Sequence, residues 1–280
     1  MSVLAWTCPT CKATVATPFC PRCGEGPLKP RELTFRGFVE RAVHALTSVD
    51  ARTLRSIRTL WRRPGALTLM WINGVRKPFV QPLSLFLIAN VAFVAIQVLT
   101  NQHVFNTSLD SHLHHQDWSS LAQSLLSSRL DSTGRTLPEY VPIFDRQVAL
   151  NAKSLVVLMS LAFALPLPMV FWREKRPFMV HVVFSLHCYA FLLLLMSAAL
   201  LVASLIALLG FGGIETPAVD KSLSVAMLLI CGYYVFRAIG PVYGTSGVHR
   251  VIGTILLALV IAALVPGYRL ALFFITLYST

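Results

Sequence analysis

Apolar residues dominate five long runs, near residues 79–100, 153–172, 179–209, 222–239 and 249–266. About 20 helical residues, at 1.5 Å each, cross the roughly 30 Å hydrocarbon core of a bilayer. Each run is therefore predicted to be a spanning helix. The third is long enough to tilt. The second contains Pro166 and Pro168, which predict a kink or an early end. The closing stretch Leu270–Thr280 is apolar but too short to return across the membrane. It is expected to extend the fifth helix or to lie in the interface.

A different period precedes the first run. Over residues 34–62, apolar residues recur at Phe35, Phe38, Val39, Ala42, Val43, Leu46, Val49, Leu54, Ile57, Leu60 and Trp61. This is helical spacing. Arg36, Arg41, Arg52, Arg55, Arg58, Arg62 and Arg63 lie largely between them, so the helix is basic and amphipathic. Such a helix suits the membrane surface, aliphatic side down and arginines among the headgroups. Packing on the protein's own helices is the alternative. Pro64-Gly65 breaks it, and Ala66–Asn73 leads into Gly74-Val75-Arg76-Lys77-Pro78.

Between the first two runs, residues 101–152 are polar. Trp118, Leu121, Leu125 and Leu126 predict one short helix there. His112, His114 and His115, with His103 and Asp117, are chemically capable metal ligands. Their spacing matches no defined motif, so the segment reads as a solvated loop.

Composition narrows the class. Hydrophobic residues make up 55% of the 280 and charged residues only 13%, about half the charged share of soluble domains. That excludes an ordinary soluble globule and a disordered chain. The expectation is an all-α multi-pass membrane protein with about five transmembrane helices.

Charge then orients it. Residues 1–79 hold thirteen Lys/Arg against four Asp/Glu, or +9 of the total +12. Basic segments flank the inside face of a membrane, and they also attract anionic lipids. Arg173-Glu174-Lys175-Arg176 and the segment between Arg237 and Arg250 fall on the same side as the head. Segments 101–152 and 210–221 are net acidic and fall on the other. The N-terminus is expected in the cytoplasm and the C-terminus in the periplasm. No basic n-region and apolar h-region open the chain, so the first span is expected to act as the signal. No basic patch interleaved with aromatics suits a nucleic acid.

The cysteines supply the one strong motif. Cys8-Pro-Thr-Cys11 and Cys20-Pro-Arg-Cys23-Gly24 form two Cys-x-x-Cys knuckles, able to place four thiolates around one zinc. Two disulfides would need an oxidising compartment, which the basic head argues against. Four thiolates leave no open coordination position, so the zinc is read as structural. It stands in for a core that about 30 residues cannot build. Gly24 is expected to let the backbone pass close behind the second knuckle. The organisation expected is a zinc ribbon over 1–30, a basic cytoplasmic or interfacial helical segment over 31–78, and a transmembrane domain over 79–280 with an outer loop at 101–152.

No Gly-x-Gly-x-x-Gly, Walker A, His-Glu-x-x-His or Gly-x-Ser-x-Gly pattern occurs. What remains is polar groups within or beside the spans, costly in lipid and functional candidates for that reason. Within spans these are Asn90, His181, His187 and Arg237; Arg76, Glu174 and Tyr243 come from the adjoining inner loops. They concentrate in the cytoplasmic half, where they can line a polar cavity. They can equally serve as hydrogen bonds between helices. His181 and His187 are six apart, about 240° around a helix, so they do not share a face. Cys188 and Cys231 read as small apolar packers.

Several of these strings together resemble a bacterial membrane family, domain of unknown function 3667. They are the paired Cys-x-x-Cys, Leu54-Arg-Ser-Ile-Arg-Thr-Leu-Trp-Arg-Arg-Pro64, Gly74-Val-Arg-Lys-Pro-Phe-Val-Gln-Pro82, His181 through Phe191, and Tyr234-Val-Phe-Arg237 through Tyr243-Gly244. Ile72-Asn73 stands where that family has a Tyr-containing string. The resemblance implies a zinc-ribbon head on a multi-pass domain of the bacterial inner membrane, and it supplies no activity. Three functions stay open. One is a binding or assembly module whose ribbon and basic helix dock a cytoplasmic protein partner or anionic lipid. Another is a transporter of a small solute or lipid, although no inverted repeat is visible. The third is an enzyme acting on a lipid headgroup through His187, although no carboxylate pair or nucleophile accompanies that histidine.

Overall fold

A computed structural model describes residues 5–26, 51–100, 108–114, 116–210 and 217–280, with backbone alone at 153–156, 217–218 and 220. The predicted helix over 34–62 is described from Ala51; its first part, His103 and His115 lie outside the described residues. The described elements are β1 (Trp6–Thr7), β2 (Thr14–Val15), α1 (Ala51–Arg62), α2 (Ala66–Ile72), α3 (Pro82–Thr100), α4 (Leu109–His114), α5 (Ser119–Thr133), α6 (Leu137–Ala164), α7 (Leu167–Val170), α8 (Phe178–Leu208), α9 (Pro217–Tyr243) and α10 (Gly247–Ser279).

Among the described residues, four helical stretches are long and apolar enough to cross a membrane: α3, α8, Lys221–Tyr243 within α9, and α10. A fifth is added if Leu137–Ala152 and Val157–Val170, bent by 56°, count as one span. These match the five apolar runs. α6 stops at Ala164 and α7 starts at Leu167, on either side of the Leu165-Pro166 pair. The stop fits Pro166, which disfavours helical backbone in the residue before it. The C-terminal stretch extends the last helix: α10 runs 33 residues without a break, through Pro266.

The chain divides into two compact units. The first draws on Met1–Thr100 and Ala164–Ala258. Its axis is α8, which packs along α3 and also touches α1, α2, α7 and α9. Every residue from Val180 to Phe191 is buried, because this half of α8 is surrounded by other helices. The turn between α1 and α2 lies on the backbone of α9. Gly65 has φ of 80°, and a Cβ there would stand 2.5 Å from the Ala238 carbonyl oxygen. Only glycine meets both conditions.

The second unit draws on Asn101–Phe163 and Leu259–Thr280. The short helix predicted from Trp118, Leu121, Leu125 and Leu126 is present as α5, but the rest of the predicted loop differs: α4 and the first half of α6 are helical as well. The buried positions Tyr140, Phe144, Val148 and Ala152 fall four apart along α6, and Leu272, Phe273 and Leu277 of α10 are buried in the same unit. His112 is fully buried, its ring centroid 5.1 Å from that of Phe273. Its Nδ1 accepts the Trp118 Nε1–H at 3.4 Å. Burial, reinforced by the charge of Arg269, lowers the His112 pKa to about 4. His112 is thus a core residue of this unit, and His114 instead faces Asp110, 3.0 Å away.

Candidate functional site

The N-terminal cysteines build the best-defined centre. β1 and β2 pair antiparallel, Trp6 opposite Val15, and bring the two knuckles together. Each knuckle closes in the same way. The Cys8 N–H donates to Ala13 and the Lys12 N–H to Cys8; the Cys20 N–H donates to Glu25 and the Gly24 N–H to Cys20. The residue after each second cysteine takes positive φ, Lys12 at 61° and Gly24 at 72°. Nothing lies within 4 Å of where a Gly24 Cβ would stand. Gly24 therefore serves backbone conformation, not the close approach expected from sequence.

The four Sγ atoms lie within 4.8 Å of one another. Tetrahedral thiolates around a zinc-sized ion sit about 3.8 Å apart, so the donor set fits a four-coordinate metal. The closest pairs, Cys8–Cys23 and Cys11–Cys20, are 3.4 Å apart and unbridged. Burial opposes ionisation of Cys20, but N–H groups of Arg22 and Cys23 and the thiols of Cys11 and Cys23 outweigh it and lower its pKa to about 7, whereas the Cys11 and Cys23 thiols are themselves raised by burial and by their thiol neighbours. A bound metal would be held by Cys8, Cys11, Cys20 and Cys23, and it would supply folding energy rather than catalysis. Among the described residues, the ribbon's fully buried apolar core is Cys8, Val15 and Cys20, with Trp6, Cys11, Ala13 and Cys23 packed against it.

Sequence reasoning missed what fastens the ribbon down. Glu25 is 5% exposed. Its Oε2 accepts the Thr10 hydroxyl at 2.8 Å, the Arg76 N–H at 3.3 Å and the Lys77 N–H at 3.1 Å. Thr10 lies inside the first knuckle, and Glu25 follows the second. One carboxylate thus joins both knuckles to the loop entering α3. Hydrogen bonds to an ionised acceptor are the stronger kind. The same loop is tied to α1: the Val80 N–H donates to Ser56 Oγ at 3.0 Å, and that hydroxyl donates to the Arg52 carbonyl.

α1 has three faces. Thr53, Ser56 and Leu60 are buried. Leu54 (69% exposed) and Trp61 (39%) form an exposed apolar edge, seven residues and two turns apart. Trp61 also stands edge-on to Phe191 of α8, ring centroids 5.0 Å apart. Arg55, Arg58 and Arg62 are exposed, and their positions fall on one side of the helix next to that edge.

The intramembrane candidates do not gather at one point. The His187 Nδ1 and Thr68 Oγ1 of α2 share a hydrogen bond at 2.8 Å. The His181 Nδ1 and Tyr243 hydroxyl share another at 2.9 Å. Tyr243 is stacked on Phe171, centroids 4.0 Å apart. Asn90 is half-buried, and its Oδ1 has no hydrogen-bond partner among the described residues. Arg237 is exposed; its carbonyl accepts Arg250 Nη2 at 3.1 Å. Arg76 places its guanidinium 4.7 Å from the Trp71 ring centre. Glu174 is exposed in the turn after α7. Cys188 is buried and Cys231 half-buried.

Comparison with known proteins locates one family segment within this arrangement. Residues 50–94 match the family described as Protein of unknown function (DUF3667). The matched stretch holds α1, Gly65, α2, the Arg76–Lys77 loop and most of α3, which is the part of the first unit that receives Glu25 and His187. Of the strings that carry the resemblance, Leu54–Pro64 and Gly74–Pro82 fall inside it. No curated protein and no solved structure matches the chain.

Proposed function

We propose that this chain is a binding module of the bacterial inner membrane. A zinc-bearing ribbon is clamped to the membrane domain, and α1 holds anionic lipid headgroups at the cytoplasmic surface. The observation that carries the reading is the three-faced α1. A helix packed only on its own protein needs one apolar face. α1 has its buried face on the bundle and still exposes Leu54 and Trp61 beside Arg55, Arg58 and Arg62. That edge suits the acyl boundary with guanidinium groups at the phosphates. Each arginine near an anionic surface is worth about 1 kcal/mol. The ribbon's thiolates need a reducing compartment, which agrees with the orientation that the loop charges predict.

The hydrogen bonds of His181 and His187 to Tyr243 and Thr68 favour helix-to-helix roles for both residues over transport or acid–base work. Phe19, exposed on the ribbon, favours a second reading in which the ribbon also grips a cytoplasmic protein.

Delipidated protein titrated with phosphatidylglycerol tests the lipid reading. Ligand that binds the folded state raises the melting temperature. The rise is expected for the parent protein and is expected to shrink in an Arg55→Gln/Arg58→Gln/Arg62→Gln variant. An equal rise in both would reject the proposal.

A further inference from the structure

A second polar site lies in the first unit, lined by no residue of α1 or the ribbon. The turn Trp172–Glu174 and the segment between α9 and α10 enclose a cavity of about 340 Å³. That is large enough for a small ligand. Arg173, Glu174, Ser246 and His249 line its polar side, and Phe171, Ile252 and Leu256 its apolar side. An Arg173 Nη1 lies 3.5 Å from His249 Nε2, and its guanidinium lies 5.6 Å from the Trp172 ring centre. The Thr245 Oγ1 is buried with no partner among the described residues.

Glu174 belongs to the same pocket, and its carboxylate lies beside Gly244, 3.7 Å from where a Cβ would stand. Arg173 and Glu174 are sequence neighbours of opposite charge, yet no ion pair joins them among the described residues. Each charge stays available to a ligand. An anion alone would meet the carboxylate, and a cation alone would meet the guanidinium. A ligand carrying both a phosphate and an ammonium satisfies both. The apolar side follows the start of α10, a candidate span, from Ile252 to Leu256. A ligand with a hydrocarbon tail finds its continuation there.

We infer that this pocket binds the phosphoamine headgroup of a zwitterionic phospholipid, phosphate to Arg173 with Thr245 and Ser246, ammonium to Glu174, and glyceryl and first acyl carbons along Ile252 and Leu256. The headgroup is the shared chemistry, so a soluble phosphoamine is the other source it could come from.

The test uses the full chain in detergent micelles. It is offered equimolar phosphatidylethanolamine and phosphatidylglycerol of identical chains, and bound lipids are counted by native mass spectrometry. O-phosphoethanolamine is the competitor. The parent protein is expected to retain phosphatidylethanolamine. Glu174→Gln is expected to cut its retention relative to phosphatidylglycerol by about tenfold, the scale of one lost charge-assisted hydrogen bond. Arg173→Gln is expected to lower it as well. Both side chains are exposed, so neither change threatens the fold, and a melting curve checks that. Retained lipid that O-phosphoethanolamine does not displace places the source in the bilayer; displacement at comparable concentration makes it the soluble headgroup. An ethanolamine-to-glycerol ratio unchanged by Glu174→Gln overturns the inference. The triple arginine variant of α1 is expected to lose phosphatidylglycerol and keep phosphatidylethanolamine, so either site can fail without the other.

Discussion

The Glu25 carboxylate accepts the backbone N–H of Lys77 at 3.1 Å, across 52 residues of chain. A ribbon on a tether would have no such bond. Because Oε2 also takes the Thr10 hydroxyl and the Arg76 N–H, removing the carboxylate leaves two amides and a hydroxyl without their acceptor. Unmade bonds of this type cost about 1–3 kcal/mol. Glu25→Ala is therefore expected to speed amide hydrogen exchange at Arg76 and Lys77 at least tenfold while leaving the metal content unchanged. Unaltered exchange at both amides would show that the clamp contributes nothing.

The ribbon is expected to depend on a bound metal. Elemental analysis is expected to find one zinc per chain, lost when Cys8, Cys11, Cys20 and Cys23 are all changed to serine. Acid should release it, because thiolate ligands must stay deprotonated. Zinc that persists in the serine variant would place a metal elsewhere.

Gly65→Ala tests the seat of α1 on α9. The added methyl would stand 2.5 Å from the Ala238 carbonyl oxygen on a backbone with φ of 80°. Strain and overpacking each cost about 1–3 kcal/mol. The expected result is a melting temperature lower by several degrees, with reduced protection of α1 from exchange. A neutral substitution would mean that α1 is not held there.

Helix-to-helix roles for the membrane histidines predict a particular double-mutant cycle. Thr68→Val strips the partner from buried His187. Hydrogen bonds between membrane helices average about 0.6 kcal/mol and reach about 1.7. The coupling between Thr68→Val and His187→Leu should fall in that range, and neither change should alter which lipids are bound. Lost lipid selectivity in His187→Leu alone would assign that histidine a ligand.

His112 gives the second unit a pH dependence of defined sign. Its pKa is lowered to about 4 by burial and by Arg269, whereas the unfolded chain protonates near the ordinary value of about 6.5. As pH falls between those values, protons bind the unfolded state first, and stability drops. The loss approaches on the order of 3 kcal/mol, at about 1.4 kcal/mol per pH unit. Melting curves from pH 7 to pH 4 should show it, and His112→Gln should flatten that part of the profile. Identical profiles would remove His112 as the cause.

What could be read from sequence follows from which constraint acts. A bilayer crossing demands about 20 apolar residues, so the helices long and apolar enough to cross are visible one-dimensionally, and Pro166 marks a helix end in the same direct way. The four cysteines are equally local, their ligand geometry written in two short knuckles. Within 109–152, α5 is visible in the spacing of Trp118, Leu121, Leu125 and Leu126, but the first half of α6 escaped because Pro142 lies inside it and its polar residues hide the four-residue recurrence of Tyr140, Phe144 and Val148. Glu25 escaped for a different reason. Nothing near it in sequence announces the Arg76 and Lys77 amides, which only the folded chain delivers. The same holds for Gly65: the Pro64-Gly65 break is plain in sequence, but the Ala238 backbone that makes glycine obligatory comes from another helix.

If α1 holds anionic lipid at the membrane surface, gently purified protein retains that lipid, and identifying the retained lipid is the most direct measurement. Native mass spectrometry of the parent chain is expected to show bound lipids enriched in anionic headgroups relative to the source membrane. That enrichment should be lost when Arg55, Arg58 and Arg62 are changed to glutamine. An anionic complement that is equal in both proteins would contradict the account.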